Sequence, residues 1–122
     1  MAVTETIAII GASSDSAKYG NRALKAWRET TWAVFPVNPS AKTIEGVKAY
    51  ASVLDIPDEV TAATLYVPPA IGLQIADELI AKGVRIVYLN PGSASGPLRS
   101  KLAGAGITVL EECSIIASRQ HR

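Results

Sequence analysis

Short apolar, β-rich runs alternate with helical patterns along this 122-residue chain, and that alternation limits the possible folds more than any other feature. The runs typical of strands are Ile7–Ile10, Thr31–Val37, Thr64–Val67, Val84–Leu89 and Ile107–Leu110. Amphipathic spacing or capping residues predict helices over Gly20–Arg28, from Pro69 to a cap at Gly83, from Gly96 onward, and over Ser114–Arg119. Ser52–Ile56 predicts a short helical turn, whereas Ser40–Ala51 shows no readable pattern.

Five strands separated by helices predict a parallel sheet, because parallel neighbours need a long crossover connection. Right-handed crossovers place helices on both faces of such a sheet. We therefore predict a Rossmann-like, doubly wound α/β fold, formed as a single domain over residues 1–122.

Composition excludes several classes of function. A hydrophobic share of 48% with 19% charged residues is typical of a folded globule, and a net charge of +1 lacks the basic excess of non-specific nucleic-acid binding. Cys113 and His121 are the sole cysteine and histidine, which argues against disulfide frameworks, metal clusters and histidine-based catalysis. Met1–Thr6 is polar without a basic targeting region, and no apolar stretch has membrane-spanning length, so a cytoplasmic location is expected.

The loop after the first strand is the first candidate site, because ligands of such sheets bind beyond the carboxyl ends of the strands. Gly11 permits a tight turn, and Ser13 and Ser14 supply donors ahead of the positive end of a helix. Lys18 and Arg22 add positive charge. Together they predict an anion site suited to a pyrophosphate. The alternative is an ordinary polar loop with an exposed basic helix face.

The loop departs from the G-x-G-x-x-G dinucleotide fingerprint, since the second and third glycines are absent. Asn38 and Pro39 stand where that fingerprint expects a carboxylate for the ribose. These departures favour a nucleotide diphosphate held without a ribose-reading carboxylate. An NAD(H)-binding redox or regulatory module remains the alternative.

Several short motifs, in their order and spacing, resemble the CoA-binding domain family. They are Gly11-Ala12-Ser13, Pro36-Val37-Asn38-Pro39, Ile44-x-Gly46-x-Lys48-x-Tyr50, Leu54-Asp55-Ile56-Pro57, Val67-Pro68-Pro69 and Pro91-Gly92. The resemblance extends from about Thr6 to Ile116, and the chain is similar to a small stand-alone version of the domain. The same domain type forms the N-terminal part of the succinyl-CoA synthetase α subunit and of NDP-forming acyl-CoA synthetases.

The resemblance implies coenzyme A or an acyl-CoA as ligand. It implies a site formed by Gly11, Ala12, Ser13, Ser14, Lys18, Arg22, Asn38, Pro39, Lys42, Val67, Pro68, Pro69, Asn90, Pro91 and Gly92. The first loop would hold the pyrophosphate, and Lys42 would pair with a phosphate, including the 3′-phosphate. Val67, Pro68 and Pro69 would form an apolar wall for the adenine or the start of the pantetheine arm.

No residues that carry the synthetase chemistry are visible, because the phosphorylated histidine of those enzymes belongs to a different domain. We expect a CoA-binding protein without self-sufficient catalysis, with a homodimer or an acyl-CoA enzyme as a candidate partner. A third interpretation is an interaction protein with a vestigial pocket. Cys113 suggests either a mixed disulfide with the CoA thiol or a small, partly buried residue near a helix start. No flanking cation stabilises a thiolate there, which favours the second.

Overall fold

The computed structural model describes residues 5–122. Within this range the strands are β1 (Thr6–Ile10), β2 (Ala33–Val37), β3 (Thr43–Ile44), β4 (Val47–Lys48), β5 (Ala62–Leu65), β6 (Ile86–Leu89) and β7 (Thr108–Leu110). The α-helices are α1 (Tyr19–Arg28), α2 (Pro69–Lys82), α3 (Gly96–Gly104) and α4 (Ser114–Ser118). Short 3-10 turns span Val53–Asp55 and Arg119–His121.

Five of the strands form one parallel sheet in the order β2-β1-β5-β6-β7. In its register, Ile7 of β1 lies opposite Val34 of β2 and Ala62 of β5. Helices α1, α2 and α3 make the crossovers from β1 to β2, from β5 to β6 and from β6 to β7, whereas β3, β4 and a 3-10 turn lie in the connection from β2 to β5. The predicted Rossmann-like α/β fold is therefore confirmed.

The two faces of the sheet carry separate apolar clusters, because successive strand residues point to opposite faces. In β1, Ile7 and Ile9 join the cluster that contains Leu24 and Trp27 of α1. Ala8 and Ile10 join the other cluster, whose buried members include residues of α2 and α3. Accordingly, α1 packs beside α4, and α2 packs beside α3. All of β1 is buried, as its uninterrupted apolar run predicts.

The predicted elements are present, but their boundaries shift. The third run was predicted over Thr64–Val67, whereas β5 covers Ala62–Leu65, two residues earlier. The buried alanines Ala62 and Ala63 pair with β1, while Tyr66 and Val67 leave the sheet at its carboxyl edge. Small residues fit the crowded central strand, whereas the β-branched and bulky residues that are typical of a strand begin two residues later, at Thr64.

A small hairpin occupies part of the segment for which no pattern could be read. β3 pairs antiparallel with β4, and Glu45 and Gly46 form the turn at φ of 51° and 75°. Two consecutive positive φ values favour the tight turn whose twist matches that of paired strands. Strands of two residues are too short to show a period of two, which is why the sequence conceals them.

None of the helices within residues 5–122 has the length and apolar character needed to cross a membrane. The polar N-terminal segment, interpreted above as lacking a targeting signal, includes residues 1–4, which lie outside the described residues.

Candidate functional site

The strand order reverses direction beside β1, and this reversal locates the candidate site. The chain passes from β1 to β2 on one side and then returns to place β5 on the other side of β1. The connections leaving β1 and β5 therefore diverge to opposite faces of the sheet and open a crevice at their carboxyl ends. Gly11 follows β1 there, and Tyr66 follows β5.

A cleft of about 480 Å³, called here the central cleft, fills this crevice. Its described lining consists of Gly11, Ala17, Lys18, Tyr19, Gly20, Tyr66, Val67, Pro68, Pro91, Gly92 and Ser93. Lys18 is the only charged residue in that lining. A single positive charge without a facing carboxylate makes the cleft suited to an anion.

Two smaller recesses adjoin the central cleft on opposite sides. The recess beside β2, of about 310 Å³, shares Gly11 and Val67 with the cleft and adds Val37, Asn38 and Pro39. Its carboxylate, Glu78, accepts a hydrogen bond from the Ser52 hydroxyl. The distal recess, of about 180 Å³, is lined by Tyr19, Tyr66, Asn90, Pro91 and Cys113. Shared lining residues make one continuous surface of the three spaces.

Two glycines allow the loop after β1 and the start of α1 to pack closely together at the cleft. Gly11 has a φ of +85°, and a Cβ there would lie 2.7 Å from the Tyr66 carbonyl oxygen. A Cβ on Gly20 would lie 2.2 Å from the Gly11 carbonyl oxygen. The start of α1 therefore rests directly on the backbone that leaves β1. Gly20 provides the close packing that a later glycine provides in the dinucleotide fingerprint, at a different spacing.

Two residues in the first turn of α1 have amide groups that are free to bind a ligand. Within the described chain, the N–H groups of Tyr19 and Gly20 have no hydrogen-bond acceptor, as is usual at a helix start. Both residues line the cleft beside Lys18. These amides, the positive end of the helix and the lysine make a donor set that fits a phosphate oxygen. The donors and the missing carboxylate together match a pyrophosphate better than a neutral ligand.

Two asparagine side chains hold the first loop from within the protein. Asn21 donates through Nδ2 to the Ser13 carbonyl at 2.9 Å, and Asn38 donates through Nδ2 to the Ala12 carbonyl at 2.9 Å. Asn38 also accepts from the Ser40 amide. Asn38 thus occupies the end of β2 as a brace for the loop. No carboxylate replaces it there, so the ribose contact typical of an NAD site is missing from this position.

The structure brings a subset of the predicted site residues to the cleft and its recesses. This subset is Gly11, Lys18, Asn38, Pro39, Val67, Pro68, Asn90, Pro91 and Gly92. The other predicted residues, Ala12, Ser13, Ser14, Arg22, Lys42 and Pro69, do not line these spaces.

Several of those remaining residues have structural partners. Ala12 is buried, and the Ser13 hydroxyl accepts from the Asp15 amide. The Arg22 guanidinium lies 5.3 Å from the centroid of the Tyr19 ring. Pro69 begins α2. The roles of Lys42 and Arg22 as ligand contacts stay predictions.

A buried polar network beneath the distal recess was not predicted. Ser114 Oγ lies 3.3 Å from Trp27 Nε1, 2.8 Å from Thr64 Oγ1 and 3.0 Å from the Tyr66 hydroxyl. Asn90 Nδ2 donates to Thr64 Oγ1 at 2.6 Å. Burial raises the pKa of the Tyr66 phenol, and the neighbouring Ser114 and Thr64 hydroxyls offset part of that rise. The only sequence signal was that Thr64 and Asn90 interrupt or end apolar runs.

The chain belongs to the CoA binding domain family, which matches residues 5–119. The alpha subunit of ADP-forming acetate–CoA ligase II from Pyrococcus furiosus is 42% identical over 84 residues, which are 68% of this chain and 18% of that protein. An ADP-forming acetate–CoA ligase from Methanocaldococcus jannaschii is 35% identical over 81 residues, covering 66% of this chain and 12% of that enzyme. The chain thus corresponds to less than a fifth of either curated relative.

Solved structures share the fold over a larger part of their length. A conserved hypothetical protein from Pyrococcus furiosus superposes with a TM-score of 0.86 and 38% identity, over 93% of this chain and 98% of that one. The resemblance to the CoA-binding domain family, drawn above from the motifs, is confirmed by the family match over residues 5–119.

Proposed function

We propose that this chain binds coenzyme A or an acyl-CoA along the carboxyl edge of its sheet, without self-sufficient catalysis. The observation that carries the proposal is the central cleft between β1 and β5, whose described lining contains Lys18, two residues with unpaired amides and no acidic side chain. Membership in the CoA binding domain family supports the same ligand. The described lining of the central cleft contains no histidine, cysteine or carboxylate to serve as an acid, base or nucleophile.

The shape of the site suggests an orientation for the ligand. The diphosphate lies over the first turn of α1, and the adenosine enters the recess beside β2, whose lining is largely apolar. Lys42, which lies between β2 and β3 in the chain, supplies a cation for the 3′-phosphate. The pantetheine arm then runs past Val67 and Pro68 toward the distal recess. The acetate–CoA ligases among the relatives suggest that a partner enzyme for acyl-CoA completes the chemistry.

The direct test is thermal unfolding with CoA, acetyl-CoA, dephospho-CoA and NAD at one concentration. A ligand at about 100 times its dissociation constant stabilises the folded state by about 2.7 kcal/mol. For a chain of this length that raises the melting temperature by about 10 °C. We expect this shift with CoA and none with NAD. A shift with NAD and none with CoA would contradict the proposal and support the dinucleotide alternative.

Two lysine variants test the assigned contacts. Lys18→Ala removes the cation of the central cleft and should raise the Kd for CoA about 10- to 100-fold, the loss of one charge-assisted hydrogen bond. Lys42→Ala should weaken the binding of CoA and leave the binding of dephospho-CoA unaffected, because the proposed partner of Lys42 is the 3′-phosphate. Lys101→Ala is the matched control, since Lys101 lies in α3 and pairs with Asp77. If Lys18→Ala and Lys42→Ala bind CoA like the parent, these contacts are wrong.

A further inference from the structure

The hydroxyl of Tyr66 occupies the end of a chain of hydrogen bonds that begins in the core. The Asn90 amide orientation is fixed, because its Oδ1 accepts from the Ser114 backbone amide and its Nδ2 donates to the Leu65 carbonyl. The second Nδ2 hydrogen is then directed to Thr64 Oγ1. Thr64 in turn donates its own hydrogen to Ser114 Oγ. Each link therefore runs in one direction, away from Asn90.

The number of available hydrogens determines which atom donates in the hydrogen bond between Ser114 and Tyr66. Ser114 Oγ accepts from Trp27 Nε1, which can only donate, and from Thr64, so both of its lone pairs are used. Its one hydrogen is left for the Tyr66 oxygen, 3.0 Å away. With that assignment, none of the hydrogen bonds described within residues 5–122 gives the Tyr66 hydrogen an acceptor. Thr64 and Ser114 are completely buried, whereas Tyr66 lines the central cleft and the distal recess.

We propose that the Tyr66 hydroxyl donates this hydrogen to a carbonyl oxygen in the arm of the bound CoA or acyl-CoA, within the distal recess. This inference rests on the proposed function and adds to it a residue that recognises the far end of the ligand. The described lining of the recess holds no charged residue, so a neutral acceptor suits it better than a phosphate. Both Nδ2 hydrogens of Asn90 are used in the core, and Tyr19 is 62% exposed, which leaves Tyr66 as the firmly held hydroxyl.

The environment of Tyr66 supports a donor role. Burial raises the pKa of its phenol, so the hydroxyl keeps its hydrogen at neutral pH. A chain of hydrogen bonds aligned in one direction also polarises its last member and strengthens the donor. The carbonyl has two sources in the ligand, the amides of the pantetheine arm and the thioester of an acyl group. Both are neutral acceptors of the same kind.

Tyr66→Phe removes only the hydroxyl, and its affinity for three ligands tests the inference by titration calorimetry. The ligands are CoA, acetyl-CoA and adenosine 3′,5′-bisphosphate, which lacks the arm. We expect the Kd for CoA, for acetyl-CoA or for both to rise about 2- to 10-fold, the effect of one neutral hydrogen bond, with bisphosphate binding unchanged. Equal losses with CoA and acetyl-CoA identify an arm amide, and a loss confined to acetyl-CoA identifies the thioester.

Tyr88→Phe is the matched control, because Tyr88 is a buried tyrosine of β6 that lies outside the cleft and both recesses. It should leave all three affinities unchanged, and unaltered circular dichroism confirms the fold of both variants. Unchanged binding of both CoA compounds by Tyr66→Phe overturns the inference while the proposed function stands. A loss shared equally by the bisphosphate, or reproduced by Tyr88→Phe, also overturns it. If the parent binds no CoA, the proposed function fails and this inference fails with it.

Discussion

Adding one methyl group at Gly20 should separate α1 from the loop that leaves β1. The new Cβ would meet the Gly11 carbonyl oxygen at 2.2 Å, so the helix start must withdraw by about 1 Å. Overpacking costs about 1–3 kcal/mol, and the upper end applies because the neighbour is backbone and has no alternative rotamer. Replacing a helical glycine by alanine stabilises the helix by about 0.5–1 kcal/mol, which offsets part of this cost. We therefore expect Gly20→Ala to destabilise the fold by about 2 kcal/mol.

Two other helical glycines make a graded comparison by urea unfolding. At Gly72 the added Cβ would lie 2.9 Å from Leu98 Cδ2, a side-chain atom that can move, so the net change should be close to zero. At Gly104 nothing lies within 4 Å, and alanine should stabilise the protein by about 0.5–1 kcal/mol. The expected order of stability is Gly104→Ala, then Gly72→Ala, then Gly20→Ala. Equal or greater stability of Gly20→Ala relative to the parent would refute the close contact of helix and loop.

Two further predictions concern polar contacts away from the glycines. Ser114→Ala should lower the free energy of unfolding by about 1–3 kcal/mol, because Trp27 Nε1 and the neighbouring hydroxyls lose a buried partner; a urea midpoint equal to the parent's would contradict this. Arg99 makes two hydrogen bonds to Glu111 and holds the pKa of that exposed carboxyl below its ordinary 4.5. The ion pair stabilises the fold above about pH 4.5, and this stabilisation disappears as the pH falls through the lowered pKa of Glu111. The loss of stability caused by Glu111→Gln should therefore vanish in acid. Melting temperatures between pH 7 and pH 2.5 measure this, and a deficit independent of pH would exclude the ion pair as its cause.

The parts of the fold that depend on local pattern could be predicted. The apolar run of β1 identifies a strand buried on both faces, and Pro69 and Gly83 mark the ends of α2 as the structure has them. These signals lie within a few residues of the element that they define. The position of β5 was predicted two residues late, because its alanines show their fit only beside β1.

The candidate site was predictable only where it depends on residues that follow a strand. Gly11, Val67 and Pro91 were predicted because loops at the carboxyl edge are short and close in sequence to their strands. Gly20 and Tyr66 were missed as site residues, since their roles depend on atoms elsewhere in the fold: the Gly11 carbonyl for one and the Ser114 hydroxyl for the other. Tyr66 and Ser114 lie 48 residues apart in the chain, and no local pattern in a single sequence indicates that such a pair is in contact.

The side chains of Asn21 and Asn38 fasten the first loop at two successive carbonyls, those of Ser13 and Ala12. Because these hydrogen bonds form within the protein, the loop is already ordered before a ligand binds, and no binding free energy is lost in ordering its backbone. Encounter should then proceed at the speed of diffusion and charge attraction, with no slow rearrangement after contact. Replacing either asparagine should lower the association rate constant of the ligand before it changes the dissociation rate constant.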